Sequence, residues 1–583
     1  MTPRIAEIDP ITLEILWSRL ISILDEADTT LLRTSYSAIV GEAHDYAVAL
    51  LDAEGNSLAE ANATMPAFVG MLSRTARSFL QVYPPSNLEP GDVIISNDPW
   101  ICAGHLPDIT LITPIYHRGR MVALAGCAAH LSDVGGRGTS EGRDIFEEGL
   151  RIPPLKLYVA GQPNHDLFAI IQNNSRSPED VVGDIRAQML ANAVTARRLS
   201  ELLDEYGLED VADLSAAIQS QTEAAMRRQI DRLPAGVYRA SLDLDGFEDH
   251  PLRVEVAITI GGGEITVDYT GTSPQVDYAI NCPINLTYSE TVFPFRASLL
   301  PNLPSAEGSM RPIKVIAPPG TIVSPAFPAP VRSRVVVVHN LHAAIYRALQ
   351  PLVPDYLRPP AIQAHSGCIW GVWWWGPRPT PGTKGPTDVP ENWVAMYIFN
   401  GGKGATGAAD GQHCLSFPQN CSNIPVEYLE SRTPMLFECK ELITDSGGAG
   451  RYRGGTGQRV RIRSLSDKPY SFVPISTDRI RFAPIGLLGG RPGRAGRLAL
   501  NDTQELSSRT MTMIQPGDTI TMETPGGGGV YDPHQRDPEA VRQDVRMGLV
   551  SAQAAVEVYG ADADRVDNSG APELTQVPSG AMP

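Results

Sequence analysis

The sequence lacks the signals that mark several large classes of protein. No apolar run approaches the roughly 18 residues that a membrane-spanning helix needs, and acidic residues precede the first apolar segment, which is not the pattern of a signal peptide. The seven cysteines are scattered and form no Cys-x-x-Cys pair, which argues against a thiolate zinc site and against a redox pair. An odd number of cysteines fits a reducing compartment, so we expect a cytoplasmic protein without a membrane partner.

The chain has fewer basic than acidic residues, and it lacks the common nucleotide-binding motifs. Lysine and arginine total 48 against 66 aspartates and glutamates, which gives a formal net charge of −18. Such a surface repels phosphodiester backbones, so we expect no nucleic-acid partner. The chain has no Walker A segment and no Gly-x-Gly-x-x-Gly after a strand. If ATP is used, this chain shows no familiar site for it.

The residues that are present predict a strand-rich, multi-domain α+β protein. At 583 residues the chain is too long for one hydrophobic core, and its 53 glycines and 49 prolines are typical of many loops. The patterns predict an N-terminal helix capped by Asp9, a central helical segment and a glycine-rich β region. We expect four segments: an α+β domain over 1–232, a second α+β domain over 233–445, a glycine-rich β region with a C-terminal helix over 446–559, and a disordered tail over 560–583.

A histidine and an aspartate three residues apart interrupt an apolar stretch, "NDPWICAGHLPDIT" at 97–110. His105, Asp108 and the later His130 lie near the ends of neighbouring strand-like segments, and a hairpin would bring them together. Two imidazoles and a carboxylate suit Zn²⁺, Mn²⁺ or Fe²⁺ and leave positions open for water or substrate. Asp45 is a fourth candidate ligand because it also precedes a strand. The same spacing arises by chance in many proteins, and each histidine could instead cap a loop.

Acidic residues near this set are candidates for proton transfer. We predict Asp133, in "AAHLSDVGG", and Glu148, in "FEEG", as catalytic residues; a solvated charge cluster is the other explanation for Glu148. The nearby "GTSEG" has the letters of a hydrolase nucleophile elbow. No apolar strand runs into it, so we expect a flexible glycine loop there.

Two other runs have ordinary structural explanations. The four glycines at 526–529 could bring backbone amides close to an anion, and a turn at the base of a β domain explains them equally well. The apolar run "WGVWWWG" at 370–376 has no basic neighbours, so we expect core packing or a subunit interface rather than nucleic-acid binding.

At these motifs the chain resembles the hydantoinase B/oxoprolinase family. The resemblance rests on "NDPWICAGHLPDITLITP", "AAHLSDVGG", "EEGLRIPPLKL", "NNSRSPEDVVGDIRAQ", "DSGGAGRYRGGTG" and "TPGGGGVYDPHQRDPEAVRQDVRMG", which span nearly the whole chain in the expected order. It implies a metal held by His105 and His130 with Asp108 and, more loosely, Asp45. One departure is Phe68 in "MPAFVGM", where many members carry a histidine; this suggests a different substrate pocket.

The family resemblance also implies a partner and a reaction. In relatives, a separate A subunit of the actin-like ATPase type binds ATP and phosphorylates a carbonyl or carboxylate oxygen, and the B subunit completes the chemistry. We therefore expect the B subunit of a hetero-oligomeric, ATP-dependent hydrolase that opens a hydantoin, 5-oxoproline or similar lactam ring, with a metal to activate water. The alternatives are a component of an acetone- or acetophenone-type carboxylase, and a non-catalytic scaffold for the ATPase subunit, which would bind no metal.

Overall fold

The N-terminal helix forms as the sequence predicts. The computed structural model describes residues 8–65, 68–383, 386, 391–415, 417–419 and 421–562. The helix α1 (Pro10–Thr34) begins at a proline, and the Asp9 carboxylate accepts hydrogen bonds from the backbone N–H groups of Ile11 and Thr12. Proline costs nothing at this position because its missing N–H would have no partner within the helix. From residue 563 onward, the predicted tail lies outside the described residues.

The helical segments lie where the periodicity of apolar residues indicates. The predicted central helical region becomes two long helices, α5 and α6, and the predicted C-terminal helix becomes α11 and α12. In chain order the helices after α1 are α2 (Ala38–Gly41), α3 (Met71–Val82), α4 (His165–Asn173), α5 (Pro178–Tyr206), α6 (Ala212–Ile230), α7 (Ile284–Leu299), α8 (Val335–Val338), α9 (Leu341–Leu349), α10 (Val426–Arg432), α11 (Pro538–Arg546) and α12 (Ala552–Glu557).

A seven-stranded sheet organises the N-terminal third of the chain. Its strands are β1 (Tyr46–Asp52), β2 (Ser57–Glu60), β3 (Val93–Ser96), β4 (Asp108–His117), β5 (Arg120–His130), β6 (Leu155–Val159) and β7 (Gln162–Pro163), in the order β2-β1-β5-β4-β3-β6-β7. Each pair is antiparallel. Every residue of β1 is buried because helices α1 and α5 cover one face and the main apolar core covers the other.

Three smaller sheets complete the α+β fold. Their strands are β8 (Gly236–Phe247), β9 (His250–Gly261), β10 (Glu264–Asp268), β11 (Ile313–Ile316), β12 (Ile369–Pro377), β13 (Asn392–Asn400), β14 (Met435–Leu442), β15 (Gln458–Ser464), β16 (Tyr470–Pro474), β17 (Arg497–Leu500), β18 (Gln504–Glu505), β19 (Thr512–Ile514) and β20 (Thr519–Glu523). The strand orders are β11-β10-β9-β8, β13-β12-β16-β19 and β14-β15-β20-β17-β18. The largest apolar cluster contains side chains from all three predicted domains, such as Leu72, Val254 and Ile520; the boundaries stay predictions.

The glycines at 526–529 are a packing device and not a turn. None of the four has a positive φ. Their N–H groups donate in order to the carbonyls of Arg494, Gly455, His365 and Arg491, at 2.8–3.0 Å. A Cβ atom on any of them would lie within 2.3 Å of a backbone oxygen of a neighbouring segment. The backbone amides that the sequence suggested for binding an anion are therefore already hydrogen-bonded within the fold. Glycine is required at these positions because the neighbouring backbone segments are in contact.

The aromatic run belongs to the core, as one of the two sequence interpretations has it. It forms β12, in which Trp370, Trp373 and Trp374 have no exposed surface.

All seven cysteines carry free thiols. Within the described ranges, no helix has both the length and the apolar character that crossing a bilayer requires.

Candidate metal centre

The predicted hairpin brings the histidines and the aspartate together at one end of the seven-stranded sheet. Asp108 is the first residue of β4 and His130 the last residue of β5, and the two are directly opposite each other in the antiparallel ladder. His105 lies in the loop that leads into β4. Asp45 immediately precedes β1, and its carbonyl accepts the N–H of His130 at 3.0 Å. Strand pairing thus fixes the relative positions of Asp45, Asp108 and His130, and the short loop before β4 places His105 beside them.

Three of these residues form a tight triangle of donor atoms. His105 Nε2 lies 2.7 Å from Asp108 Oδ1 and 3.1 Å from His130 Nδ1, and His130 Nδ1 lies 3.0 Å from the same carboxylate oxygen. Two ligands about 2.1 Å from a metal lie about 3.0 Å apart at right angles and about 3.4 Å apart at the tetrahedral angle. The triangle therefore has the size of one face of an octahedral metal site.

The hydrogen bonds around His105 leave its inner nitrogen without a proton. His105 Nδ1 lies 3.1 Å from the carbonyl oxygen of Arg332, which can only accept, so Nδ1 carries the hydrogen. Burial lowers the pKa of His105 to about 3, so the ring is neutral near pH 7. The lone pair of Nε2 then faces the Asp108 carboxylate at 2.7 Å. Two acceptors at this distance repel unless a cation lies between them, so the residues present fit a metal ion.

Asp108 stays ionised although it has no exposed surface. Burial acts to raise its pKa, but the groups around the carboxylate, the guanidinium of Arg334 among them, hold the pKa below its ordinary value. Arg334 Nη2 lies 2.5 Å from Asp108 Oδ2. One carboxylate oxygen is thus committed to the arginine, and the other, Oδ1, is left for the two histidines and a cation.

Asp45 lies at the edge of the triangle and not within it. Its Oδ2 is 3.9 Å from His130 Nδ1. Burial raises the pKa of Asp45 to about 6, and the nearby Asp108 adds to the increase while His130 opposes it. A cation beside His130 would favour the ionised form of Asp45. The structure thus brings the looser of the predicted ligands into reach of the site without placing it in the tight cluster.

The triangle opens into a mostly apolar cavity. Asp45, His105 and His130 line one side, and Phe68, the residue that departs from the family pattern, lines the wall. The apolar lining consists of Met65, Phe68, Pro107, Leu286, Val335, Val338, Ile369, Trp373, Met396, Ile398 and Ile475. The other polar lining residues are Glu290, Arg332, Arg334, His339, Gln419 and Ser476. Such a pocket suits a small, largely apolar molecule with a few polar groups.

The two predicted catalytic residues lie outside this lining. The Asp133 carboxylate pairs with Arg176, whose Nη2 is 2.9 Å from Oδ1. Glu148 Oε1 accepts the backbone N–H groups of Val331 and Arg332 at 2.6 and 2.9 Å. Both carboxylates are thus engaged in holding loops, and a catalytic role for either stays a prediction that the geometry does not favour.

Glu148 does reach the candidate metal centre through the backbone. It fixes the N–H of Arg332, and the carbonyl of the same residue accepts from His105 Nδ1. Burial raises the pKa of Glu148 to about 8. The geometry gives Glu148 a positioning role: it holds the loop that selects the tautomer of His105.

The sequence interpretation missed most of the charged wall. Arg332 and Arg334 come from "PVRSRVVV" just before α8, and nothing in that string distinguishes them from surface arginines. Glu290 comes from α7; its Oε2 is 2.6 Å from His342 Nε2, and its Oε1 accepts from Gln419 at 2.6 Å. These residues are about 180 or more positions from His105 in the chain, so only the fold brings them to the cavity.

The comparison with known proteins identifies the family. A family model described as hydantoinase B/oxoprolinase matches residues 9–533. The chain belongs to this family. A Pseudomonas sp. (strain NS671) protein named as the B subunit of a D-/L-hydantoinase is 32% identical to it over 98% of each chain. The expected family membership is therefore confirmed.

Two solved structures share the fold. The ATP-dependent caprolactamase from Pseudomonas jessenii matches with a TM-score of 0.81 and 28% identity, over 97% of this chain and 99% of that chain. A nucleotide-free structure of acetone carboxylase matches with a TM-score of 0.86 and 20% identity, over 96% of this chain and 80% of that one. The second likeness concerns the fold alone.

Proposed function

We propose that this protein is the B subunit of an ATP-dependent cyclic amide hydrolase that opens a hydantoin, 5-oxoproline or lactam ring. The observation that carries the proposal is the His105–Asp108–His130 triangle at the wall of a mostly apolar cavity. A small cyclic amide has the matching character, with an apolar ring and one or two polar groups. Similarity over full length to the B subunit of a hydantoinase and to an ATP-dependent caprolactamase supports the same class of substrate.

The residues of the site would divide the work as follows. His105, Asp108 and His130 would hold a divalent ion, with Asp45 in reach as a fourth ligand. Zn²⁺, Mn²⁺ and Fe²⁺ all accept this donor set, and the near-octahedral spacing favours Mn²⁺ or Fe²⁺. When bound, such an ion activates water and polarises a carbonyl or phosphoryl oxygen. Arg334 keeps Asp108 ionised, and the Arg332 carbonyl keeps the lone pair of His105 directed inward.

A partner protein would supply the energy. An amide is a poor electrophile, and phosphorylation of its carbonyl oxygen by an actin-like A subunit would convert it into one that water attacks. The apolar walls of the cavity, among them Phe68 and Trp373, would limit the access of bulk water to the activated substrate. The hydantoinase relative is named as one subunit of an enzyme, which supports a hetero-oligomer as the working form. We place this assembly in the cytoplasm.

Reconstitution tests the proposal directly. The chain is combined with a hydantoinase A-type, actin-like ATPase subunit. The pair is given ATP and, in turn, hydantoin, 5-oxoproline and caprolactam, with labelled bicarbonate in parallel reactions. We expect a ring-opened product to form together with ADP and phosphate, no label in the product, and no activity from either protein alone.

Two results would contradict this function. Label in the product would show a carboxylase, and turnover by the isolated chain would remove the need for a partner. A variant in which both histidines are replaced, His105→Ala/His130→Ala, serves as the control; it should still bind the partner and should open no ring. Full activity in that variant, without stoichiometric metal, would leave the scaffold interpretation in place of a metal centre.

A further inference from the structure

Arg332, which lines the cavity, has a buried guanidinium that makes no hydrogen bond to the described residues. Arg332 is 1% exposed, and its Nε, Nη1 and Nη2 atoms have no hydrogen-bond partner among the described residues. The guanidinium stacks over the ring of Trp373, with its central carbon 4.2 Å from the ring centroid, and both residues line the cavity. Burial lowers the pKa of Arg332 to about 10, so the side chain remains charged near pH 7.

Among the described residues, each of the other buried arginines donates at least one hydrogen bond, including Arg296 and Arg479, which form no ion pair. Arg334 pairs with Asp108. Arg509, also 1% exposed, pairs with Asp478 at 3.0 Å and donates to the carbonyl of Gly246 at 2.9 Å. The carboxyl groups of Glu148 and Asp133 lie near enough to act on the charge of Arg332, but neither accepts a hydrogen bond from it. A buried guanidinium without hydrogen bonds is strongly unfavourable, so a fold has no structural reason to keep one. Stacking on Trp373 offsets only part of that cost.

The backbone of the same residue contacts the candidate metal centre. The carbonyl oxygen of Arg332 accepts a hydrogen bond from Nδ1 of His105, a predicted metal ligand. The guanidinium therefore belongs to a residue whose backbone contacts the candidate metal centre. Five N–H donors in a planar fork match the oxygens of a phosphoryl or carboxylate group. The cavity therefore has a cation-binding set of donors on one side and an anion-binding group beside it.

We propose that Arg332 binds an oxyanion group of the substrate, phosphoryl or carboxylate, within this cavity. The identity of the group as part of the activated cyclic amide rests on the proposed function, but the anion site itself does not. Trp373 stacks against the plane of the guanidinium, and the anion supplies the hydrogen-bond acceptors that the described residues do not. Arg332 thus determines specificity for a substrate that carries a negative charge at the stage when it occupies the cavity.

Titration calorimetry on the purified full chain tests the site without ATP, partner or turnover. Inorganic phosphate and acetate are the two probes, used at neutral pH with the chain as purified and again after chelation of metal. The variants are Arg332→Met, Arg332→Lys and a control, Arg481→Met, which removes an exposed guanidinium that lies over Phe482 outside the cavity. We expect Arg332→Met to weaken binding about 10- to 100-fold, Arg332→Lys to weaken it less, and Arg481→Met to leave it unchanged.

The probes and the chelation arm separate the possible results. Tighter binding of phosphate indicates a phosphoryl group, and tighter binding of acetate indicates a carboxylate; both support the proposal. Binding of neither probe to the wild type would overturn it, as would binding that disappears on chelation and is unchanged in Arg332→Met, because the anion would then sit on the metal. A melting temperature of Arg332→Met far below that of the wild type would also overturn it, by showing a structural role. A chain without ring-opening activity can still show this anion site, so the two proposals fail separately.

Discussion

Replacing Glu148 distinguishes a catalytic base from a residue that positions the metal centre. Its Oε1 accepts two backbone N–H groups, from Val331 and Arg332. In Glu148→Gln the amide oxygen can accept the same two bonds, whereas in Glu148→Ala both donors lose their partner inside the protein. If Glu148 acts as a positioning residue, the glutamine variant keeps most of the function and the alanine variant loses it.

The magnitudes follow from the number of hydrogen bonds. An unsatisfied buried N–H costs about 1–3 kcal/mol, so the loss of two partners in Glu148→Ala should lower the free energy of unfolding by about 2–6 kcal/mol. The loop that carries the Arg332 carbonyl would then hold His105 less firmly, and loss of such an outer partner lowers metal affinity about 10- to 100-fold. We expect Glu148→Gln to stay within about 1 kcal/mol of the wild type and to keep its metal.

The pH dependence provides a second readout of the same residue. Burial raises the pKa of Glu148 from an ordinary 4.5 to about 8, so between these values the folded state binds more protons than the unfolded state. The free energy of unfolding should therefore fall as pH rises through this window, by at most about 1.4 kcal/mol per pH unit. Thermal melts of Glu148→Gln from about pH 5 to pH 8 should lack this part of the slope.

Metal analysis, melting curves and turnover of the reconstituted pair decide between the two roles. A Glu148→Gln variant that keeps its metal and its melting temperature but loses turnover by about 100-fold or more would refute the positioning argument and restore the predicted general base. A glutamine variant that loses metal as completely as the alanine variant would show that the two hydrogen bonds to Val331 and Arg332 do not account for the effect of Glu148 on the site.

Two further predictions concern the cavity. His105→Ala and His130→Ala should each lower bound metal, measured by elemental analysis, from about one ion per chain to a trace. Adding Mn²⁺, Fe²⁺ or Zn²⁺ should raise the melting temperature of the wild type but not of the variants. An equal rise in all three proteins would show that the metal binds elsewhere. Phe68→Ala should raise KM for the ring substrate by about 10-fold or more, since it removes an apolar wall, with little change in ATP hydrolysis by the partner; an unchanged KM would place the substrate away from Phe68.

The parts of the site that were predictable are those that strand register controls. Asp108 and His130 lie at the ends of two adjacent strands that the sequence predicted as a hairpin, and His105 precedes the first of them by three residues, so strand pairing brings the set together. Arg332 and Glu290 were not predictable in this way. They reach the cavity from loops and helices more than about 150 positions away, and local sequence carries no information on contacts of that range.

Asp133 and Glu148 were predicted as catalytic residues because they follow His130 closely in the sequence. In the folded protein, however, neither residue lines the cavity. Asp133 follows His130 by three residues, yet its carboxylate is held by Arg176, away from the lining. Glu148 acts across a loop from a different part of the chain. A short separation places two side chains in one region, but whether they share a cavity depends on which direction each loop turns after its strand.

The glycine-rich region offers a final test, because there the sequence suggested turns and the structure shows contacts between backbones. A Cβ on Gly527 would lie 2.2 Å from the carbonyl oxygen of Lys403, an atom that cannot move without breaking the hydrogen bonds on both sides. Gly527→Ala should therefore cost more than about 4 kcal/mol and yield little folded protein. Gly236→Ala is the matched control, since its nearest neighbour is a tyrosine hydroxyl at 3.7 Å, and it should melt within a few degrees of the wild type. If Gly527→Ala melts as Gly236→Ala does, the segments are not packed backbone to backbone, and the amides of 526–529 become available again for a ligand.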